Sequence, residues 1–385
     1  MAPLESELQG IELTALFPGH LLKSTGRTSD VKPIAIMGGG LWGSLLAYRL
    51  SEIKPDLDFI LYENEENLGE GISQIVYQND FSPQGNRWLT PFFEKSWKSH
   101  QVKFHGMDKV LESGVGLISA KKIRSVLMKK IGDRIRPLDE IENVLNECSF
   151  IIDTRNNFYY PSQGFQKITE LEIKTKHMPL NLPILCDGTV SQWDGFRYAQ
   201  YFPLSDDRLI VRDIRHSAEA TIFGEDFEEQ IMETLALAGI HADDVVQKSS
   251  WLFRIPSSSL IPWNEGRILR LAGISHDFTG NSVADAVRLI DRMVSTSFRR
   301  GELNEVVLNY RSEREARRKF FRIMSRYSLN PSNSRAGVIV MERLYKMPRS
   351  VREKFFLGEL DFMDFMRTLV RIKVLRPMPS FIRSS

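Results

Sequence analysis

An α/β architecture is predicted for this chain, in which a parallel nucleotide-binding domain is interleaved with an antiparallel β-sheet domain and followed by a helical C-terminal region. Three observations predict it. Residues 34–63 pass from a continuous apolar run, through a glycine-rich turn, to helical spacing and then to a second apolar run. From Gly164 to about Val211, short runs rich in β-branched and aromatic residues are separated by Pro, Gly and Asp, as in an antiparallel sheet. From Ala284 onward the apolar periodicity is predominantly helical.

Length and composition agree with this class. A chain of 385 residues is too long for one ordinary core, so two domains sharing a cleft are expected. Hydrophobic residues at 42% and charged residues at 26% exclude disorder and a disulfide scaffold. A net charge of +2 provides no global field for nucleic acid, which is not expected as a partner. Cys148 and Cys186 both sit in apolar strand-like runs, which predicts buried reduced thiols in a cytosolic setting.

Residues 1–30 have weak periodicity and predict an N-terminal arm. They carry acids where a signal peptide has a basic start, and Pro18 and Gly19 break their apolar stretch, so a cytoplasmic location is expected. No apolar run is long enough to span a bilayer, although resting on one is compatible with the sequence. The body begins at Val31. PIAIM, GGGLWGSLLAYRLSEI and DFILYE read as strand, turn with helix, and strand. KKIRSVLMKKIGDRI reads as a helix and CSFIIDTR as a buried strand ending at Asp153. Strands follow at QGFQKITELEIKT, LPILCDGTV, FRYAQYFPL and RLIVRDI, then a helix at DFEEQIMETLALAG and strands near SSWLFRIP and RILRLAGI. The expected domains are 31–160 with 265–300 for the nucleotide, 161–264 for the substrate sheet, and 301–385 for the helical region.

Gly38, Gly40 and Gly43 form G-x-G-x-x-G between the first strand and its helix, and Glu63 closes the next strand about 20 residues on, the order of a Rossmann-type dinucleotide site. Gly38 permits the tight turn, Gly40 lets the backbone approach a pyrophosphate, and Gly43 lets helix and strand pack closely. The helix N-terminus offers amides and a positive dipole end to the anion. Glu63 would accept from a ribose diol. The motif alone does not separate NAD from FAD. FIIDTR, with a polar residue at its tip, looks like a second strand that approaches the same cofactor, as flavoproteins use.

Several segments in order resemble the bacterial lycopene cyclase family along nearly the whole chain, from Ile34 to Phe381. IAIMGGGLWGSLLAYRL is similar to the family's glycine-turn segment, WLTPFFEKSWKSHQVKF to its Trp-Leu-x-Pro-Leu stretch and FIIDTR to its Ile-Asp-Ala-Arg-Gly strand. LPILCDGTVSQWDGFRYAQYFPL keeps Asp187, Thr189, Val190, Gln192, Asp194, Gly195 and Arg197 of a further family segment. LAGISHDFTGNSVADAVRLID keeps Gly273, His276, Thr279, Gly280 and Ser282 of another.

The resemblance implies an enzyme that protonates an acyclic end of lycopene and closes it to a β-ionone ring, without net redox change but with reduced FAD and NAD(P)H as reductant. It implies Asp213 and His276 as catalytic candidates. Asp153, Gly273 and Gly280 join Gly38, Gly40, Gly43 and Glu63 at the cofactor. Trp193, Phe196, Tyr198 and Tyr201 become candidates for a substrate tunnel, where aromatic faces would stabilise a cation. No metal site is expected.

Two stretches depart from the family. Its paired-acid motif falls on LIVRDI, so Arg212 replaces the first acid, Asp213 keeps the second and Ile214 replaces a threonine. Its Gly-Gly-Asn-His-Thr-Trp stretch falls on LGEGISQIVY, which keeps only Gly69 and Gly71. These departures leave two other readings open, a flavoprotein oxidoreductase acting on another isoprenoid and an inactive carotenoid-binding homologue. In the C-terminal region, Arg311, Arg314, Arg317, Arg318, Lys319 and Arg322 alternate with Phe320, Phe321 and Ile323. A basic amphipathic surface suits an anionic membrane face, here the inner face of the cytoplasmic membrane. A helical domain packed on the core with solvated charges is the other reading.

Overall fold

The computed structural model describes residues 32–372, apart from 72, 78–80, 82, 156–160, 222–223, 258–263, 272, 275 and 329–334. The arm expected over 1–30 and the end of the chain after 372 lie outside the described residues. Within them the structure is α/β with a parallel sheet, two further sheets and a helical C-terminal part, as the sequence predicts.

The chain opens with β1 (Ile34–Met37), α1 (Leu41–Ile53) and β2 (Phe59–Tyr62). It continues through β3 (Gln74–Tyr77), α2 (Pro83–Leu89), β4 (Phe93–Trp97), β5 (His100–Phe104), β6 (Met107–Leu111) and β7 (Val115–Ile118). Next come α3 (Ala120–Ile131), β8 (Ile135–Arg136), α4 (Ile141–Glu147) and β9 (Ile151–Asp153). The start of α3 is fixed by Ser119, whose Oγ accepts from the Lys122 amide at 3.1 Å. The middle of the chain supplies β10 (Ser162–Lys174), β11 (Ile184–Asp187), β12 (Phe196–Pro203), β13 (Arg208–Ser217), α5 (Gly224–Leu237) and β14 (Asp244–Pro256). It then returns with β15 (Asn264–Glu265), β16 (Ile268–Arg270) and α6 (Val283–Val294). The last helices are α7 (Arg300–Ser328), α8 (Arg335–Tyr345), α9 (Arg349–Phe356) and α10 (Phe362–Ile372).

One sheet has the order β15-β16-β9-β1-β2-β8. It is parallel except at β15, and its apolar strands are buried on both faces, which is why they read as continuous apolar runs. Leu45, Leu46 and Leu50 of α1 and Val287 and Ile290 of α6 close one core against it. A seven-stranded sheet has the order β14-β10-β13-β12-β11-β5-β6, antiparallel except between β11 and β5. Sequence periodicity places its strands from Gly164 on; the sheet also takes the hairpin β5–β6 from the earlier segment. A small antiparallel sheet, β3-β7-β4, completes the set.

Register determines what each face of the large sheet carries. Across β10, β13 and β12, Gln166 lies opposite His216 and Phe196, Ile168 opposite Ile214 and Tyr198, and Glu170 opposite Arg212 and Gln200. Of these rows, Gln166, Ile168, Tyr198, Gln200, Arg212, Ile214 and His216 border the cavities described below. The alternate rows carry Lys167, Thr169, Arg197, Asp213 and Arg215, and α5 lies over that side through Ile231 and Leu235.

Candidate functional site

After β1 the backbone turns at Gly38 with φ +100°, a conformation that favours glycine. A Cβ on Gly43 would run into the Gly38 carbonyl oxygen, so only glycine lets α1 approach this closely. Thr154, just past β9, seals the turn by donating to the carbonyls of Met37 at 3.0 Å and Gly38 at 2.9 Å. Glu63 accepts from the Gly39 amide at 2.9 Å and braces the same turn. Gly38, Gly40 and Glu63 all border a cavity of about 400 Å³ that reaches past Gly273 and Gly280 to Gln166, Trp251 and Phe253 on the large sheet.

Asp153 ends β9 fully buried, and its two oxygens hold the Arg155 guanidinium at 2.9 Å. Arg155 and Thr154, rather than Asp153, border the cavity. Gly273 and Gly280 have φ of +70° and +71°, and a Cβ on Gly280 would collide with the Gln166 amide oxygen. Between these glycines His276 is buried, with both ring nitrogens committed. Its Nε2 donates to the Phe355 carbonyl at 2.8 Å, and its Nδ1 accepts from the amides of Phe278 and Thr279 at 3.2 Å. Burial pushes its ring pKa down, which keeps it neutral and suits this pattern. Thus His276 ties the Gly273–Gly280 loop to α9.

A second cavity, of about 90 Å³, shares Gln74, His276 and Phe278 with the first. Ile168, Tyr198, Arg212, Ile214 and His216 of the sheet border it from one side and Asp285 of α6 from another. Arg212 is paired with Glu170 through Nε at 3.0 Å and Nη2 at 2.6 Å, and it also donates to the Gln200 amide oxygen and the Ser73 carbonyl. Asp285 accepts from Tyr310 at 2.5 Å and from Arg314 at 2.8 Å.

Asp213 is brought to neither cavity. It lies on the α5 side of the sheet between two buried arginines, Arg197 at 2.6 Å and Arg215 at 2.8 Å. The segment that carries Asp187 to Arg197 builds this side. Asp187 accepts from the Thr189 amide and hydroxyl, and Gln192 bonds both the amide and carbonyl of Arg197. Asp194, at φ +57°, is held by Lys167 and Ser217.

Of the four tunnel aromatics, Tyr198 borders the second cavity and Phe196 packs in the core on the same face. Tyr201 packs on the α5 side, and Trp193 is 45% exposed, its ring 5.0 Å from the Arg215 guanidinium. Sequence reasoning missed Gln166, Glu170, His216 and Asp285. Strand alternation places Asp213 on the face opposite Arg212 and His216, but does not say which face meets the cavities. Among the described residues no cluster of His, Cys, Asp or Glu could hold a metal ion, and both cysteines are free and buried.

A parallel sheet with a glycine turn, joined through its cleft to an antiparallel sheet, defines the class as a Rossmann-type α/β protein. The fold is similar to that of a geranylgeranyl bacteriochlorophyll reductase-like protein from Thermoplasma acidophilum, at TM-score 0.57 and 9% identity over 88% of this chain and 96% of that one. It is also similar to the tetracycline destructase Tet(55), at TM-score 0.50 and 12% identity over 86% and 98%. Within the class, residues 33–383 match the family described as lycopene cyclase protein, and the chain belongs to that family. It is 26% identical to the lycopene beta-cyclase of Pantoea ananas over 87% of this chain and 93% of that protein. It is 25% identical to the lycopene beta-cyclase of Paracoccus sp. (strain N81106 / MBIC 01143) over 91% and 96%.

Proposed function

We propose that the chain is a flavin-dependent carotenoid cyclase of the lycopene β-cyclase type, with FAD in the first cavity and an acyclic isoprenoid end group in the second. The observation that carries this reading is that Gln74, His276 and Phe278 stand in the walls of both cavities, which would give cofactor and substrate the same side chains to contact.

The residues fit the cofactor. A side chain at Gly71 would meet nothing within 4 Å and one at Gly40 only the Glu70 carbonyl at 3.7 Å, so glycine leaves a cradle at the mouth of α1. No acid occupies the first turn of α1, whose dipole end is left for a pyrophosphate. Glu63 is assigned to the ribose and Arg155, oriented by Asp153, to the anionic part of the cofactor. FAD held there in its reduced form, with NAD(P)H as the reductant, would supply electron density to a nearby cationic centre. His276 positions the Gly273–Gly280 loop, while Ile168, Tyr198, Ile214 and Phe278 exclude water from the end group. Among the described residues Asp285 is the carboxylate bordering that cavity, and it is assigned the negative charge that would stabilise a cation developing on the end group. Asp213 is assigned a structural role instead, as the shared carboxylate of Arg197 and Arg215.

The substrate is a membrane lipid, and α10 offers a dock. Phe362 is 72% and Val370 64% exposed, beside exposed Arg367 and Arg371, a basic amphipathic surface suited to the inner face of the cytoplasmic membrane. No helix among the described residues is long and apolar enough to cross a membrane.

Expression in a lycopene-accumulating bacterium tests the reading. Monocyclic or bicyclic carotene in the pigment extract supports it; untouched lycopene beside folded, flavin-bound protein overturns it. A second reading, a redox enzyme on another isoprenoid or a carotenoid-binding protein without turnover, is favoured by one observation. Among the described residues, the carboxylate bordering the second cavity is already engaged by Tyr310 and Arg314, and Arg212 stands where the family's first acid would be. Carotenoid-dependent oxidation of NAD(P)H would mark the redox form.

A further inference from the structure

We propose that Gln166 tunes the flavin: its side-chain oxygen accepts the N–H that FAD carries at N5 of its ring only when reduced, and so holds the reduced cofactor more tightly than the oxidised one. The inference rests on the reading of the first cavity as the flavin site and names the residue that selects the reduced state.

Gln166 lies on β10 opposite Phe253 of β14, and both border the first cavity. It is 2% exposed, and the two polar ends of its side chain point apart. The amide nitrogen donates to the Thr279 carbonyl at 3.2 Å and meets Nε2 of His216 at 3.1 Å, and both of those residues border the second cavity. A carbonyl only accepts, so the nitrogen and not the oxygen faces Thr279. The oxygen is turned toward Gly280 in the wall of the first cavity, where a Cβ on that glycine would collide with it. It accepts no hydrogen bond among the described residues, and unlike the unpartnered hydroxyl of Tyr201 it is not sealed inside the core.

With the ADP half of the cofactor assigned to the glycine turn, the flavin ring reaches the part of the cavity where the large sheet supplies Gln166, Trp251 and Phe253. The reactive edge of the ring, at N5, belongs beside the end-group cavity. Gln166 stands at that boundary, its nitrogen bonded on the side of the second cavity and its oxygen open on the side of the first. An open acceptor favours the state that brings a donor: reduced FAD offers N5–H, whereas oxidised FAD presents a bare lone pair to the same oxygen. Other polar groups of this wall do not make that distinction. His276 is committed at both nitrogens, Asp277 is held at both oxygens by Arg318 and Arg322, and Trp251, Arg155 and Arg254 only donate. Glu63, Asn67, Glu70 and Thr154 stand with the glycine turn. Gln74 and Ser282 remain, and the test includes them.

The test loads the purified full chain with FAD and measures its two-electron midpoint potential against reference dyes, together with the dissociation constants of oxidised and reduced FAD under anaerobic conditions. Gln166→Leu is expected to weaken reduced FAD about tenfold relative to oxidised FAD, which lowers the potential by about 30 mV. Gln166→Glu, which keeps an acceptor, retains the preference, and Gln74→Leu and Ser282→Ala leave it within about twofold. If the leucine variant does not fold, Gln166→Met, closer in shape, takes its place. An unchanged ratio in the leucine variant, or one that falls equally in Gln166→Glu, overturns the inference and leaves the flavin reading standing. So does an equal loss of both states, complete loss of flavin included, since a bond made only by the reduced ring cannot cost the oxidised ring its site. A fall caused by Gln74→Leu or Ser282→Ala instead overturns it as well. A wild-type chain that binds FAD in neither state overturns the flavin reading itself and the inference with it.

Discussion

Glu170 and Arg212 stand directly opposite each other on β10 and β13 and are joined at 2.6 Å, so this buried cation has its own counter-ion on the neighbouring strand. Both side chains are almost wholly buried, and removing one strands the other. Glu170→Leu should destabilise the fold by about 3 kcal/mol, and Glu170→Leu with Arg212→Met should recover most of that loss. Guanidinium melts of the two variants check it, and equal stability of both would remove the pair from the account of the fold.

Gly43→Ala should cost flavin more than fold. The new Cβ meets the Gly38 carbonyl, so α1 must move away from the glycine turn to which the pyrophosphate is assigned. Flavin content after purification should fall at least about tenfold for a stability loss of roughly 1–3 kcal/mol, as absorbance spectra and thermal melts would register.

Two aspartates should separate structure from chemistry. Asp213→Asn leaves Arg197 and Arg215 without their shared carboxylate, and about 3–5 kcal/mol of stability should go with it. Turnover of whatever protein remains folded should change little. Asp285→Asn should instead lower pigment conversion about a hundredfold or more at matched flavin content. The reverse outcome would return the chemistry to Asp213.

Acid should unfold the protein through buried imidazoles. Burial pushes both His100 and His216 from 6.5 down to about 4. The unfolded chain then binds protons that the folded chain refuses, so stability is full above pH 6.5 and falls as pH drops from 6.5 to 4. Each histidine contributes a slope of about 1.4 kcal/mol per pH unit in that window. Melting curves across pH 7 to 4 should show it, and His216→Phe should make the slope shallower.

The glycine turn and its strands were legible because every signal is local: apolar run, three spaced glycines, helical spacing and a closing acid within thirty-odd residues. The large sheet was legible as strands from Gly164 on, yet its faces were not. In β13 nearly every residue is buried on both sides, so apolar alternation is absent and nothing local says whether position 212 or 213 meets the cavity. His216 left no trace either, because its partner Gln166 lies on another strand. The hairpin β5–β6 was passed over for the same reason, since its pairing with β11 is a long-range event.

The exposed apolar stripe of α10 predicts a phenotype of its own. Phe362→Glu with Val370→Glu should cut co-sedimentation with anionic phospholipid vesicles about tenfold while leaving the melting temperature within about two degrees, since both side chains already face outward. Retained sedimentation would move the dock elsewhere.

The strand β9 lies between β1 and β16, with Ile151 opposite both Ala35 and Ile268, and everything from β10 to β14 is threaded between its two neighbours in the chain. On a ribosome making about 5–20 residues per second, one rim of β9 therefore waits roughly 6 to 20 seconds for its partner. During that interval an apolar strand has bare amides and carbonyls along one edge. If the order of synthesis, set by where the second sheet is inserted, exposes this edge, yield in a heterologous host should track chaperone supply more closely than the stability of the finished protein.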